Sequence, residues 1–587
     1  MRLNYLDVLK AFAIISVVLY HAGLLPYGYL GVDLFLVIAG YLTTIGLKKK
    51  ILSTNVTFLS GYFRFEVSRV VRLLPPLLIA GIVCMLVGFF AMLPDDYENL
   101  SQSIVATNVF GNNILAAITT KNYWDVVNEY KPLMHTWYVG VVMQFYLVYP
   151  ILFYLARLDK RNPKNTLMTM IATLAVVSIF VYFGTTNTAE RFYYLPARFF
   201  EFAVGGIVAL LYNPEKNSPF GRVFLYICYA LLALLITVNM EIMPAMIRLV
   251  AVVALSVVLI CSQDLLENRV TGNSVLARIG AASYSIFIWH QIVLAFCRYL
   301  WTDEFTPVVY LVLVVSTVLL SWVSYRFVER GITLALNSNK GKVWLYTLII
   351  TIFIALTSFA GYVYINAGVV RDVPELYISK NNVQRGMHKA YNDKIYKLDK
   401  PFESNKRHWL VIGNSFGRDF ANVILESPVA DSVEVSYIFI DNYKKSNYAE
   451  RFASADRIFL SSLGTSEESV NELELVCKTN GFNTGNLVIV GTKNFGTSNG
   501  RFYRKRNAPD YFKQRTDMEE GYEERNDRMK SIYGDRYLDL IGLVIDENHT
   551  MPVFTPDHKF VSQDCRHFSM GGAKWFAILI DWDKYLH

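Results

Sequence analysis

From its start to about residue 366 the chain alternates long apolar runs with short polar breaks. The runs are roughly 17–25 residues long, the length that crosses a bilayer core as a helix. Eleven of them are expected to span, near 5–24, 32–47, 73–93, 136–156, 166–184, 194–212, 221–238, 244–262, 281–299, 307–327 and 344–366. The stretch 103–118 is interrupted by polar residues and is read as a re-entrant or interfacial helix. Past residue 370 the pattern becomes that of a globular domain. There "HWLVIGNSFGRDF" predicts a buried strand, a tight turn at Ser415 and a helix start. The runs "VEVSYIFI", "RIFLSS" and "NLVIVGT" predict further strands, with a helix between the last two. This alternation implies an α/β domain with a parallel sheet. The expected organisation is a polytopic α-helical membrane domain over 1–335, a linking span within 336–370 and a soluble domain over 371–587.

Composition agrees with the pattern, since 53% hydrophobic and 14% aromatic residues are too many for an ordinary soluble enzyme. The stretch Leu6–Leu25 carries Asp7, Lys10 and His21 and lacks a small-residue cleavage site, so it is read as the first membrane helix and not as a signal peptide. The formal charge of +7 sits in loops between spans and does not point to nucleic acid. With the amino terminus in the cytoplasm, the inner loops hold 18 Lys and Arg residues and the outer loops only Lys121, Lys131 and Arg191. The positive-inside rule favours that orientation, which leaves the soluble domain outside after eleven spans. Of six cysteines, Cys84, Cys228, Cys261 and Cys297 lie in apolar spans. A disulfide between the other two, Cys477 and Cys565, is open in an extracytoplasmic domain.

Ionisable groups inside spans are costly and mark candidate sites. Lys10 and His21 are eleven residues apart, which places them within about 20° of one another on a helix and about 16 Å apart along its axis. They are either a snorkelling lysine and a satisfied histidine, or a polar track with a cation at one end and a base deeper in. Arg69 and Arg72, at i,i+3 before Leu73-Leu74-Pro75-Pro76, either anchor the topology or grip a phosphorylated ligand. Arg198 and Glu201 share an i,i+3 spacing and are expected to pair, as a structural clamp or a substrate contact.

These blocks resemble the acyltransferase-3 family of membrane acyltransferases. The resemblance runs through "LDVLKAFAIISVVLYHAG", "SRVVRLLPPLL", "HTWYVGVVMQFYLVYP", "LPARFFEFAVGG", "ASYSIFIWHQ" and "SYRFVERG", in family order over about residues 1–331. It implies that His21 is the essential histidine, that Lys10 stands where arginine is usual, and that Arg69 and Arg72 bind coenzyme A. His135, Trp137, Arg198, Glu201 and His290 are further candidates for the membrane site. Val142 stands where the family has glutamate, and Gly331 where it has proline. Lys10 keeps the charge but loses the guanidinium fork.

In the second region, Ser415 followed late by "DCRHF" resembles the SGNH hydrolase family. That resemblance makes Ser415 the nucleophile, His567 its base and Asp564 the group orienting the imidazole. Gly464 and Asn494, with the Ser415 backbone N–H, become the oxyanion donors. Asn414 departs from the usual aspartate before the serine, and one extra residue separates Gly491 from Asn494. "GNSFG" also matches the G-x-S-x-G elbow of α/β-hydrolases, but that elbow follows several strands whereas this serine follows the first.

Together the resemblances imply transfer of an acetyl group from cytoplasmic acetyl-CoA, with no permanently bound cofactor and no metal. The implied acceptor is a hydroxyl of a surface polysaccharide (O-antigen, capsule or peptidoglycan) or its lipid-linked precursor. The implied location is a bacterial inner membrane, with the second domain in the periplasm. The alternatives are a transporter or flippase with a glycan-binding soluble domain, and a membrane-anchored polysaccharide esterase. Topology is directly testable. A phosphatase fused after His587 should be active and a cytoplasmic reporter there silent; the reverse pattern would move the soluble domain to the cytoplasm.

Overall fold

The computed structural model describes residues 4–48, 57–119, 128–212, 222–239, 243–262, 274–379, 387–445, 448–496 and 498–586. Lys49, Lys50, Lys121, Lys216 and Arg269, counted above in the loops, lie outside the described residues. The chain divides into two units, one of Met1–Phe90 with Leu100–Gly361, the other of Ala91–Asn99 with Tyr362–His587.

The first unit is helical. Its helices are α1 (Asn4–His21), α2 (Gly31–Leu47), α3 (Phe58–Ala91), α4 (Pro94–Asn108), α5 (Asn112–Thr119), α6 (Trp137–Ala156), α7 (Pro163–Gly184) and α8 (Thr188–Tyr193). They continue as α9 (Leu195–Leu211), α10 (Arg222–Thr237), α11 (Ala245–Cys261), α12 (Val275–Ala281), α13 (Ser283–Leu300), α14 (Pro307–Val323), α15 (Arg330–Ala335) and α16 (Asn339–Ile365). All eleven expected spans fall on helices. Among the described residues, however, seven segments are long and apolar enough to cross a bilayer, and the pair α12–α13, bent by 76°, makes up to eight. The apolar parts of α10 and α11 are shorter, and α1 gives up two positions to Asp7 and Lys10.

Two boundaries differ from expectation. The third span begins at Phe58, and its helix runs through Pro75 and Pro76, so Arg69 and Arg72 lie within α3 and not at the mouth of a loop. The uncounted stretch 103–118 is two helices broken between Asn108 and Asn112, not one. Its amides are held by protein. Asn112 Nδ2 donates to the Leu133 carbonyl and to Thr136 Oγ1 at 2.9 and 2.7 Å. Asn113 Nδ2 donates to the Tyr193 carbonyl at 3.1 Å.

Small residues let the helices of this unit touch at the backbone, which is how helices associate where apolar side chains gain little over lipid. A Cβ on Gly40 of α2 would stand 2.0 Å from the Phe202 carbonyl oxygen of α9, and one on Gly205 would stand 2.0 Å from that of Val37. Gly280 of α12 leaves no more room beside the Asp7 carbonyl of α1. Phe145 of α6 stacks on Phe202 at 4.1 Å, and Tyr149 and Thr44 share a hydroxyl bond of 2.7 Å. Gly331 faces open space, so packing does not explain its departure from proline.

The second unit is α/β. Its strands are β1 (Arg407–Gly413), β2 (Val433–Phe439), β3 (Arg457–Ser461), β4 (Leu487–Val490), β5 (Arg515–Asp517), β6 (Tyr537–Leu538) and β7 (Thr550–Pro552). Five of them form a parallel sheet in the order β2-β1-β3-β4-β6, while β5 and β7 make an antiparallel ribbon. Its main helices are α17 (Met387–Tyr396), α18 (Ser415–Leu425), α19 (Ala449–Ala453), α20 (Glu467–Thr479), α21 (Asn499–Tyr503), α22 (Tyr522–Tyr533) and α23 (Met570–Leu579). Trp409–Ile412 is buried throughout because helices cover both faces of the sheet, as a parallel sheet requires. Trp409, Val411, Phe459 and Val488 pack with Phe420, Ile424 and Phe576. The alternate residues Leu410, Ile412, Ile458 and Leu460 pack with Val470, Leu473 and Met529. Leu93, from the 91–99 segment of this unit, joins Val369, Val373, Phe502 and Phe554 in a third cluster. The disulfide left open by the sequence does not form: Cys477 and Cys565 are both free and buried.

The backbone contact at Gly40 is testable. Gly40→Val should destabilise the protein by about 1–3 kcal/mol through overpacking, and Gly46→Val, whose Cβ has open space, should not. Melting temperatures in detergent would compare the two.

Candidate functional site

Three histidines converge in the first unit. His21 ends α1, His290 lies in α13, and His135 sits in the tight turn Met134–Thr136 that enters α6. The His290 ring is 5.3 Å from that of His21 and 5.2 Å from that of His135, centre to centre. His290 Nδ1 lies 3.1 Å from the Ile286 carbonyl. A carbonyl only accepts, so Nδ1 carries the hydrogen, and in the neutral ring Nε2 keeps the lone pair. His21 and His135 line a cavity of about 970 Å³, with Trp137, Arg198 and Asp33 in its wall.

The pairing expected between Arg198 and Glu201 is present at 3.1 Å, and the guanidinium also donates to Asp33 of α2 at 2.5 Å. Sequence spacing could not find Asp33, because that pair joins residues 165 positions apart.

Lys10 faces a second cavity. This one, of about 1100 Å³, is lined by Lys10, Arg69, Arg72, Arg326 and Arg330, with Asp7 and Glu329 as its carboxylates. Lys10 Nζ is 3.1 Å from Asp7 Oδ1. The Arg69 guanidinium lies over the rings of Phe65 and Tyr146 at 4.7 and 4.8 Å, which fixes a planar donor fork in the wall. Val142 is buried against the same cavity, whose carboxylates come instead from Asp7 and Glu329. Lys10 and His21 therefore serve different cavities at opposite ends of α1. Between these cavities stand aromatic rings: Phe287 lies 4.9 Å from His135 on one side and 5.4 Å from Tyr138 on the other.

In the second unit, β1 pairs with β2 on one edge and β3 on the other. It is thus the point at which strand order reverses, and ligands of open α/β sheets bind outside the carboxyl ends of strands there. Ser415 follows β1 at the first position of α18. Its turn needs glycine, since a Cβ on Gly413 would stand 1.9 Å from the Ser461 carbonyl oxygen. Asn414 caps α18 by accepting from the Phe416 N–H at 3.0 Å, a role that aspartate would fill equally. The buried Ser415 Oγ has no hydrogen-bond partner among the described residues.

Gly464 lies in the exposed turn after β3, the strand in register with β1. Asn494 follows β4 and is buried; its Oδ1 accepts from the Gly496 and Glu519 N–H groups at 3.1 and 3.0 Å, while Nδ2 has no partner among the described residues. An amide fixed through its oxygen, with its N–H groups unspent, suits a developing oxyanion.

Asp564 accepts from His567 Nδ1 at 2.6 Å and from the His567 N–H at 2.7 Å. Burial pushes its carboxyl up, but the His567 ring and these bonds outweigh burial and hold it well below the usual carboxylate range. The imidazole is thereby turned with Nε2 away from Asp564, the arrangement in which a histidine serves as base for a serine. Sequence reasoning missed Lys493 and Asp419, which form a buried ion pair of 2.9 Å beside this loop. Asp419 lies in the block of Ser415 and Lys493 in that of Asn494, but their spacing of 74 residues gives no local signal that they pair.

The family model of the acyltransferase domain matches residues 3–326. The chain belongs to the acyltransferase-3 family. It is 25% identical over 536 residues to "Putative O-acetyltransferase SAR0937" of Staphylococcus aureus strain MRSA252, covering 83% of this chain and 86% of that protein. It is 27% identical over 354 residues to "O-acetyltransferase OatA" of S. aureus strain NCTC 8325, covering 56% of each. No solved structure matches the chain. As a member of this family with O-acetyltransferase relatives, the protein is an O-acyltransferase, and its many apolar helices make it a multi-pass membrane protein.

The Asp564–His567 bond carries a pH signature. A carboxylate held low contributes stability that is complete above its unfolded value of about 3.9 and is lost as pH falls through the folded value. Asp564→Asn should cut Ser415 reactivity towards a fluorophosphonate by about 10²–10⁴ at neutral pH. The melting-temperature gap between wild type and variant should begin to narrow below about pH 4 and go on narrowing in stronger acid.

Proposed function

We propose that the protein moves an acetyl group from acetyl-CoA to a carbohydrate hydroxyl at the cell surface. The observation that carries this reading is the pair of cavities at the two ends of α1, one basic and one lined by imidazoles. Five cations against two carboxylates suit a polyanionic donor, and Arg69 and Arg72 are assigned to the coenzyme A phosphates, with Lys10 beside them. A cation-rich cavity of this kind favours a thioester donor over the solute path of a transporter.

His21 is assigned to the transfer step, with His290 and His135 behind it. There a ring nitrogen of the imidazole attacks the thioester carbonyl, so that an N–C bond forms as the C–S bond breaks, and the proton of the other ring nitrogen goes to the departing thiolate. Ser415 is assigned as the acyl carrier of an SGNH-like domain. Its oxygen takes the acetyl group from that imidazole, the C–O bond forming as the N–C bond breaks, while His567 takes the hydroxyl proton and passes it to the departing imidazole. Asn494 Nδ2, the Ser415 N–H and Gly464 would hold the oxyanion. A sugar hydroxyl then gives its proton to His567 as its oxygen attacks the acetyl carbonyl, and Ser415 leaves with that proton. Lipopolysaccharide O-antigen, capsule and peptidoglycan all offer such hydroxyls. The basic loop bias supports a cytoplasmic amino terminus in the inner membrane and a periplasmic second unit.

One experiment separates the two halves. Membrane vesicles supplied with labelled acetyl-CoA should lose all transfer with His21→Ala. With Ser415→Ala they should lose glycan acetylation while still releasing coenzyme A. Normal glycan acetylation by the Ser415→Ala protein would make the second unit a glycan-binding module and the transfer direct.

A further inference from the structure

Among the described residues of the second unit, Lys493 and Asp419 are the most deeply buried charges, at 2% and 1% exposure. Burying such a pair is costly, so its presence is weak evidence for stability. Its hydrogen bonds point to a different role. Lys493 Nζ donates to Asp419 Oδ2 at 2.9 Å and to the Arg566 carbonyl at 2.8 Å. Asp419 Oδ2 also accepts from the Phe568 N–H at 3.0 Å. The pair therefore grips the backbone on both sides of His567. At its other end it belongs to the nucleophile's own helix, because Asp419 lies one turn after Ser415 in α18. The ammonium is further enclosed by the rings of Phe416 and Phe568, at 3.6 and 4.8 Å. Phe416 in turn meets the His567 ring edge-on at 6.0 Å.

We infer that the Lys493–Asp419 pair is the positioning element of the second unit, clamping the His567 loop in register with the helix that begins at Ser415. This rests on the Ser415–His567 reading above. The clamp also sets the local field. Asp419 lies close enough for its charge to be felt at His567, and Lys493 neutralises it there. The other charged groups facing this loop are Asp564 within it, Arg418 of α18, the Arg566–Glu519 pair, Asp95 beside Asp564 and Asp96 beside Cys565. None of these changes in the variants below.

The test uses the full-length protein in detergent and two readouts. The first is the rate of fluorophosphonate labelling across pH, in which the Ser415 O–P bond forms, fluoride leaves and His567 takes the hydroxyl proton. The second is amide exchange of the peptide spanning Asp564–Ser569, read by mass spectrometry. Lys493→Met leaves an uncompensated anion near the imidazole, so the labelling midpoint should move to higher pH, by about 1 unit. Asp419→Asn leaves a cation and should move it to lower pH. Both should slow labelling at least tenfold at its plateau and speed exchange of the loop. The double variant Lys493→Met/Asp419→Leu removes both charges without stranding either and is the one best able to fold. Its midpoint should return to that of wild type, while its slow plateau and fast exchange remain.

Midpoints that move in the same direction in both single variants would overturn the clamp, as would wild-type rates and exchange in the folded double variant. If wild-type protein labels no faster than Ser415→Ala, the nucleophile reading fails. The exchange readout then judges the clamp alone, and unchanged exchange overturns it.

Discussion

The Arg198 guanidinium is buried beside two carboxylates, Asp33 of α2 and Glu201 of its own helix. Separating the helices would part Arg198 from Asp33, its partner on α2, so α2 and α9 cross where the two meet. That crossing is also where Gly40 and Gly205 let the two backbones touch. Ion pair and glycine contact fix the same register, one through charge and the other through shape. Further packing joins the same helices to α6: Phe145 reaches Phe202 and Tyr149 reaches Thr44. His21, His290 and Arg198 are carried by helices, and His135 by the tight turn that enters α6.

The second unit meets the same demand with different parts. Lys493 and Asp419 neutralise each other under a loop that has little regular structure of its own. Asp564, Asn494 and Lys493 each spend hydrogen bonds on backbone N–H or carbonyl groups. The catalytic candidates therefore depend on polar networks fixed to the carboxyl edge of the sheet. Where a reacting oxygen is expected, Ser415 Oγ and Asn494 Nδ2 have no hydrogen-bond partner among the described residues.

Much of this was legible in the chain. Strands β1 to β4 were readable because a parallel strand covered on both faces is a short unbroken apolar run, as "WLVI" and "LVIV" are. Ser415, Asp564 and His567 were readable because local motifs carry them. Span boundaries were less so. Hydropathy ends where charge begins, yet α3 keeps its helix from Phe58 past Arg64, Arg69 and Arg72, since a helix needs backbone bonds and not apolarity. Partnerships across long separations were invisible. Nothing near Arg198 announces Asp33, and nothing in "GTKNF" announces Asp419, because burial and neighbours arise only once the chain is folded.

The two thiols of the second unit carry a last consequence. Cys477 and Cys565 are each enclosed, at 0% and 1% exposure, and neither is bonded to another sulfur. This unit is held by the packing on both faces of its sheet, without covalent cross-links. Its folding therefore calls on no oxidant and no disulfide isomerase, and the redox poise of its surroundings does not decide its shape. Reducing agents find no bond to break in this architecture.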